Sequence, residues 1–244
     1  MDDINIRRKI IIPDRRDVNT FSKYSNLELA GRYSKDNFEI FSKILLKTDN
    51  KEKIDKLLME MTLLNSDLIN IDAIKLIIKH GANPNYFYNY DSTPLSCALA
   101  YPMASSDIIE LLIESGADVN IQFRNYKTIL MCFIVNSSQS NDLEIMKFII
   151  RKSHQINCKN LDGNSALMLC FHNYNIFIRC DIIKILLENK ADVYLKNNKG
   201  DNIFDIIKDK IGINSDIYSL IFNYKNIKND NFCECDINFI YKYL

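Results

Sequence analysis

The sequence predicts an all-α fold made of repeated helix pairs, and three observations lead to this prediction. A block of 14 residues recurs four times without a gap, at spacings of 35, 37 and 37 residues. A second apolar helical segment follows the block in the same register. Glycine and proline are scarce, with 6 and 4 residues, which disfavours turn-rich β folds. Self-similarity at this period is typical of proteins that stack one supersecondary unit many times.

Each copy of the 14-residue block predicts one helix. The copies begin at acidic residues: Asp72, Asp107, Glu144 and Asp181. An acid in the first turn interacts favourably with the positive end of the helix dipole, and the apolar residues that follow cover a wide face. Gly81 and Gly116 come where such a helix ends in a left-handed residue. Ser153 and Lys190 take that place in the later copies, which predicts less favourable helix ends.

A second, shorter helix is predicted to start after each copy of the block. One column holds residues that are good N-caps: Thr93, Thr128, Ser165 and Asn202. Pro94 follows the first of them at the first helical position, where proline is favoured. The segments that start at about Pro94, Ile129 and Ala166 are apolar and predict short buried helices. The connector before each N-cap has the character of a hairpin.

These motifs resemble the ankyrin repeat. The resemblance is carried by "HGANPN" at 80–85, "STPL" at 92–95, "ESGADVN" at 114–120, "DGNSAL" at 162–167 and "NKADVY" at 189–194. It covers about residues 72–207 and implies a solenoid of stacked helix pairs with β-hairpin-like fingers. The repeats are longer than the usual period of about 33 residues, and we place the extra residues between the two helices of each pair. The Asn-, Ile- and Lys-rich style is similar to that of ankyrin proteins of large DNA viruses.

The histidine of the family's TPLH motif is absent from this chain. Its column contains Ser96, Met131, Met168 and Asp205. The hydrogen bonds of that histidine are therefore expected to be made by other groups or to be lost.

We expect five segments along the chain. They are a leader at 1–35, a helical cap or degenerate repeats at 36–71, ankyrin repeats at 72–207, a C-terminal capping helix at 208–225 and a tail at 226–244. Capping segments are expected because a solenoid needs polar outer faces at its ends.

The fingers carry the candidate partner-binding residues. In ankyrin proteins the fingertips and the ends of the first helices line the inner surface. By column, the resemblance implies partner contacts at Phe87, Asn89, Tyr90, Ser92, Arg124, Asn125, Tyr126, Lys127, Leu161, Asp162, Asn198 and Lys199. Phe87 and Tyr90 are the strongest candidates, because their columns are polar in the other fingers and aromatic residues are enriched in binding hot spots. Tyr86 belongs to an apolar column and is expected to pack between fingers.

Composition and charge limit the classes of partner. The chain has 31 basic and 31 acidic residues, so it has no net positive charge to hold a nucleic-acid backbone. No apolar stretch reaches the length of a membrane span. The seven cysteines are scattered, as expected for reduced thiols inside a cell. We expect a monomeric cytoplasmic protein that binds neither nucleic acid nor membrane, and the basic clusters near the N-terminus leave a nuclear location open.

Motifs for catalysis or metal binding are weak. The chain has three histidines; His80 is expected to cap a helix, and Cys170 and His172 are spaced so that they point to different faces. Cys233 and Cys235 form a close pair, but two thiolates without a second pair are a poor signal for zinc. We expect no enzymatic activity and no cofactor, and a metal protein built on this pair is the competing interpretation from another class.

The expected function is non-enzymatic protein–protein recognition through the concave face and the fingertips of the stack. The alternative is a viral adaptor or host-factor antagonist that recruits a second protein through a terminal segment. A third interpretation is a functionally decayed repeat protein, because Lys190 and Asp205 replace residues that the family pattern specifies.

Overall fold

The computed structural model divides into two compact units, Met1–Val119 (unit 1) and Asn120–Leu244 (unit 2). It describes residues 6, 9, 10, 24–63, 70–88, 92–100, 106–136, 142–171, 179–208, 217 and 219–222. The predicted leader before residue 24, the tail at 226–244 and the extra residues between the helices of the later pairs lie almost entirely outside this part of the chain. His172, Cys233 and Cys235 also lie outside it.

From residue 24 onward, the described residues of unit 1 form three helix pairs in two layers. These helices are α1 (Asn26–Arg32), α2 (Ser34–Leu45), α3 (Lys51–Thr62), α4 (Ile71–Lys79), α5 (Pro94–Ala100) and α6 (Ser106–Glu114). The first helices of the pairs pack in one row, α1 on α3 and α3 on α5. The second helices pack in another row, α2 on α4 and α4 on α6. Contacts within each pair join the two rows, so each helix is held on more than one side.

Unit 2 repeats this arrangement. Its described residues up to 208 form the helices α7 (Ile129–Asn136), α8 (Asp142–Lys152), α9 (Ala166–Leu169), α10 (Arg179–Glu188) and α11 (Ile203–Lys208). Helix α9 packs between α7 and α11 in the first row, and α8 packs on α10 in the second. The apolar column of the 14-residue block is buried in both units, because Ile74, Ile109, Met146 and Ile183 are at most 2% exposed.

The start of the first helix in each later pair follows the predicted N-caps. The backbone N–H of Ser96 donates to Thr93 Oγ1 at 3.3 Å, and that of Met131 donates to Thr128 Oγ1 at 3.2 Å. Ser165 and Asn202 accept equivalent bonds. Pro94 is the first residue of α5. These predictions are confirmed, and each cap satisfies a backbone donor that the helix itself leaves open.

The missing histidine is compensated in two of its four positions. Ser96 Oγ accepts from the Thr93 backbone N–H at 2.9 Å, which makes the cap reciprocal. Asp205 Oδ2 accepts from the Asn202 N–H at 3.1 Å in the same way. The other two positions hold Met131 and Met168, where the hydroxyls of Thr128 and Ser165 accept the cap bond.

The predicted helix ends are confirmed where glycine is present. Gly81 and Gly116 have φ values of 99° and 95°, in the left-handed region. Lys190 takes the same conformation with φ 69°, which strains a residue that carries a side chain. Ser153 behaves differently, because it is not among the positive-φ residues. Its hydroxyl lies 3.2 Å from Asn120 Oδ1 instead.

Three asparagines each bond to a later turn of their own unit. Asn157 donates from Nδ2 to the Lys190 carbonyl at 3.1 Å, and its Oδ1 accepts from the Asp192 N–H at 2.8 Å. Asn85 in unit 1 and Asn120 in unit 2 make corresponding bonds to the turn after the next second helix. Each asparagine thereby satisfies both a donor and an acceptor of the neighbouring turn.

Helix α1 lies inside the segment 1–35 that was expected to be a leader. It starts with a capping box, since Ser25 Oγ accepts from the Glu28 N–H at 3.3 Å and Glu28 Oε2 accepts from the Ser25 N–H at 2.6 Å. Leu29 and Ala30 of this helix are fully buried. Tyr33 alone separates α1 from α2, with φ −115° and ψ 39°.

Candidate functional site

Four connectors between helix pairs carry the predicted binding residues. We call them finger 1 (residues 86–93, unit 1) and fingers 2, 3 and 4 (121–128, 158–165 and 195–202, unit 2). Each finger is closed by one backbone bond across its neck: Tyr88 to Ser92 at 3.0 Å, Phe123 to Lys127 at 2.9 Å, Asn160 to Asn164 at 2.9 Å and Asn197 to Asp201 at 2.9 Å. The predicted hairpin-like character of the connectors is therefore confirmed.

Fingers 3 and 4 are stabilised by an asparagine and a glycine. Asn160 Oδ1 accepts from the N–H groups of Asp162 and Asn164, at 3.0 and 2.8 Å, and Asn197 makes the corresponding bonds in finger 4. Gly163 has φ 79°, and the equivalent glycine of finger 4 has φ 88°. An accepting side chain followed by a left-handed glycine explains why these two tips turn tightly.

Finger 2 reaches the same turn with different residues. Phe123 replaces the asparagine and is buried, with 4% of its surface exposed. Tyr126 replaces the glycine and adopts φ 58°. Its N–H donates to the Phe123 carbonyl at 2.8 Å, and Asn125 Oδ1 accepts from the Lys127 N–H at 3.1 Å. In finger 2, the buried ring of Phe123 and the hydrogen bond to Asn125 Oδ1 thus take the place of the hydrogen bonds that asparagine makes in fingers 3 and 4.

The tips of fingers 2, 3 and 4 are joined to one another through their backbones. The Leu161 N–H donates to the Asn125 carbonyl at 3.0 Å, and the Asn198 N–H donates to the Asp162 carbonyl at 3.0 Å. Asn198 Nδ2 also donates to the Leu161 carbonyl at 2.8 Å. Because these bonds recur in one register, the three tips have fixed spacing while most tip side chains point outward.

The structure brings together the predicted contact residues of unit 2. Tyr126 and Leu161 are 54% and 62% exposed, although both are large and apolar. Four polar residues at these tips are also exposed: Arg124, Asp162, Asn198 and Lys199. Asn125 and Lys127 are half-buried.

The predicted contact residues of finger 1 are described only in part. Phe87 is 40% exposed and Ser92 is half-buried. Tyr88 is 41% exposed, although it shares a column with the buried Phe123. Tyr86 is half-buried, in line with its apolar column. Asn89 and Tyr90 lie outside the described residues.

A charged cluster lies on the first helices of unit 1. Lys56 Nζ lies 3.6 Å from Glu60 Oε1 on α3. Burial, together with the nearby carboxylate of Glu28, raises the pKa of the Glu60 carboxyl, against the attraction of Lys56. The charge of Glu60 in turn raises the pKa of the Lys56 ammonium. This cluster gives the first-helix row of unit 1 a polar surface.

Few side chains in the described part of the chain are suited to catalysis or metal binding. Burial raises the pKa of the Cys97 thiol to about 11, so it is protonated at neutral pH. His80 directs Nε2 to the Thr48 carbonyl at 3.1 Å and is the residue after α4, which agrees with a capping role. No group of three or more His, Cys, Asp or Glu in the described residues is arranged to hold a metal ion. Among these same residues, no helix is long and apolar enough to cross a membrane.

Comparison with known protein families identifies the repeats. The ankyrin-repeat family model matches residues 90–123 and 162–198. A comparison with curated proteins found no match. Two parts of the chain therefore match the ankyrin repeat, and the predicted all-α fold class of ankyrin helix pairs is confirmed. Ankyrin repeats indicate a module for protein–protein interaction.

Sequence reasoning missed one exposed aromatic residue. Tyr194 is 44% exposed and occupies the column in which Asn85, Asn120 and Asn157 bond to a later turn of their own unit. Its ring centroid lies 6.4 Å from that of Phe204. The departure from asparagine in an otherwise constant column was the signal that could have identified it.

Proposed function

We propose that the chain is a non-enzymatic protein-interaction module that contacts its partner through the fingertips and the concave face of the ankyrin repeats. The observation that carries this proposal is the contrast at the tips of unit 2. Their backbones are joined by hydrogen bonds, whereas Arg124, Tyr126 and Leu161 remain exposed. A surface that is already ordered before binding loses little conformational entropy when the partner docks.

The chemical character of the tips supports a protein partner. Tyrosine and arginine are the residue types that dominate binding energy in protein interfaces. The chain as a whole has no net charge, which favours a protein surface over a nucleic-acid backbone. We propose that the module acts as a monomer inside the cell, without a cofactor and without contact to a membrane.

A site-specific crosslinking experiment tests this proposal. A photoreactive amino acid is placed at position 126 or 161, and at Lys184 as a control. Lys184 is exposed on α10, in the second-helix row of the same unit. We expect lysate of the native cell to yield one protein crosslinked from both fingertip positions and absent from the control. Equal labelling at all three positions, or labelling from position 184 alone, would refute binding through the fingertips.

The adaptor alternative depends on other parts of the chain. It would use a terminal segment, at 1–35 or 226–244, to recruit a second protein, and its viral character rests on amino-acid style alone. Deletion of 226–244 that leaves fingertip crosslinking intact but removes a second captured protein would favour this alternative.

A further inference from the structure

Tyr126 occupies a backbone position that is unfavourable for tyrosine. Its φ of 58° lies in the left-handed region, where a side chain clashes with the backbone. Fingers 3 and 4 have Gly163 and Gly200 at this position. With 54% of its surface exposed, Tyr126 also gains little from burial within the chain. Local folding therefore gives no reason for a tyrosine here, and strained residues are typical of binding sites.

Leu161 lies on the tip that is hydrogen-bonded to the tip of Tyr126. The Leu161 N–H donates to the Asn125 carbonyl at 3.0 Å, which places the two tips in contact one residue before Tyr126. Tyr126 and Leu161 are therefore large exposed side chains on two adjacent tips, with 54% and 62% of their surfaces exposed.

The fingers around this surface have a positive charge. Fingers 2, 3 and 4 contain five basic residues (Arg124, Lys127, Lys159, Lys196 and Lys199) and two acidic ones (Asp162 and Asp201), a net charge of 5 − 2 = +3. The whole chain has a net charge of zero. Within the described residues, none of Arg124, Lys127 and Lys199 forms a salt bridge. These cations are available to a partner that brings carboxylates.

We propose that the tips of fingers 2, 3 and 4 bind an acidic protein segment that has one large apolar anchor residue. The anchor packs on Tyr126 and Leu161, and its flanking carboxylates face Arg124, Lys127 and Lys199. This inference rests on the proposed protein-binding function and specifies the chemistry of the partner. Complementary charge around an apolar centre gives a fast encounter and a defined register on the surface.

Synthetic peptides test the inference directly. Three labelled peptides of equal length are compared by fluorescence anisotropy: one with a central leucine between glutamates, one with alanine in place of that leucine, and one with lysines in place of the glutamates. We expect the first peptide to bind about tenfold more tightly than the other two. The second peptide lacks the apolar anchor, and the third lacks the carboxylates that face the basic residues. Its affinity should fall as salt is added, because the charges involved are exposed.

Two variants and one control connect the binding to the fingertip surface. Tyr126→Gly and Leu161→Asn each introduce the residue found at the equivalent position of finger 4. Each should lower the affinity for the acidic peptide by about tenfold. Tyr126→Gly should also raise the melting temperature by about 2–4 °C, because it relieves the left-handed strain. Lys190→Gly relieves similar strain away from the fingers, so it should raise the melting temperature and leave peptide binding unchanged. A variant that is more stable and binds less cannot owe its loss to misfolding.

Several outcomes would overturn the inference. Equal binding of the three peptides, or no binding of the first, would exclude an acidic segment with an apolar anchor. Tighter binding of single-stranded oligothymidylate than of the acidic peptide would assign the cations to phosphates. If crosslinking from positions 126 and 161 still captures one protein while the acidic peptide fails, the inference is wrong and the proposed function stands. Failure of both experiments would overturn both.

Discussion

The close approach of fingers 3 and 4 gives a quantitative prediction for Gly163→Ala. A Cβ at this position would lie 2.6 Å from the backbone nitrogen of Asn198 and 3.0 Å from the carbonyl carbon of Asn197. These are backbone atoms, so finger 4 must move away. The movement disrupts the bonds from Asn198 to the Asp162 and Leu161 carbonyls, at 3.0 and 2.8 Å, each of which contributes about 1 kcal/mol. The left-handed φ of 79° adds about 1 kcal/mol for alanine, so we expect a total loss of about 2–4 kcal/mol.

Gly200→Ala is the matched control. Gly200 has φ 88°, but in the described part of the chain no atom outside its immediate chain neighbours lies within 4 Å of a Cβ built there. This change should therefore cost only the conformational term of about 1 kcal/mol. Urea denaturation followed by circular dichroism measures the free energy of unfolding of both variants. The dependence of this free energy on urea concentration should be the same in both, which confirms that unfolding exposes the same surface. If Gly163→Ala and Gly200→Ala unfold at the same urea concentration, the reasoning from close finger contact is refuted.

Three further predictions concern single side chains. Asn157→Ala removes two hydrogen bonds to the next pair and should lower the free energy of unfolding by about 1–2 kcal/mol, and an unchanged urea midpoint would contradict this. Ser96→Ala leaves the buried backbone N–H of Thr93 without its acceptor and should cost about 1–2 kcal/mol, whereas Ser96→Asp, the residue of the last pair, should retain the cap. Cys97 should resist iodoacetamide at pH 8 while the partly exposed Cys158 reacts, as read by peptide mass spectrometry. Because an unfolded thiol ionises near pH 8.5 and folded Cys97 near 11, stability should also fall as pH rises between about 8.5 and 11, and Cys97→Ala should remove that part of the dependence.

The repeat register was enough to predict most of the fold. Helix starts depend on one short-range bond, so a column of Thr, Ser and Asn identifies them without knowledge of tertiary contacts. The left-handed end at Gly81 is equally local. The capping box of Ser25 and Glu28 was available in the same way, although the surrounding segment had suggested a leader.

Exposure at the fingers could not be predicted from the columns. Tyr88 and Phe123 occupy equivalent positions, yet one is 41% and the other 4% exposed. The burial of a side chain depends on which residues of the neighbouring elements pack against it, and an aligned column does not contain this information. The sequence also could not predict the backbone strain at Tyr126. When another residue replaces a turn glycine, the backbone either keeps the left-handed conformation at a cost or adopts a different turn. Ser153 shows the second outcome at a helix end, where it bonds to Asn120 rather than adopting a left-handed φ.

A binding loop often uses the same side chains to hold its shape and to contact the partner. In fingers 2, 3 and 4 these two roles are separate, because backbone bonds join the tips. The spacing of the tips is set by main-chain groups that every residue except proline possesses. Side chains at Arg124, Leu161 and Lys199 can therefore change without moving the frame that presents them. A lineage that copies this chain can acquire a new binding specificity through single exposed substitutions, with no compensating change in the core. The same property makes these three positions the natural ones to randomise in a library built on this protein.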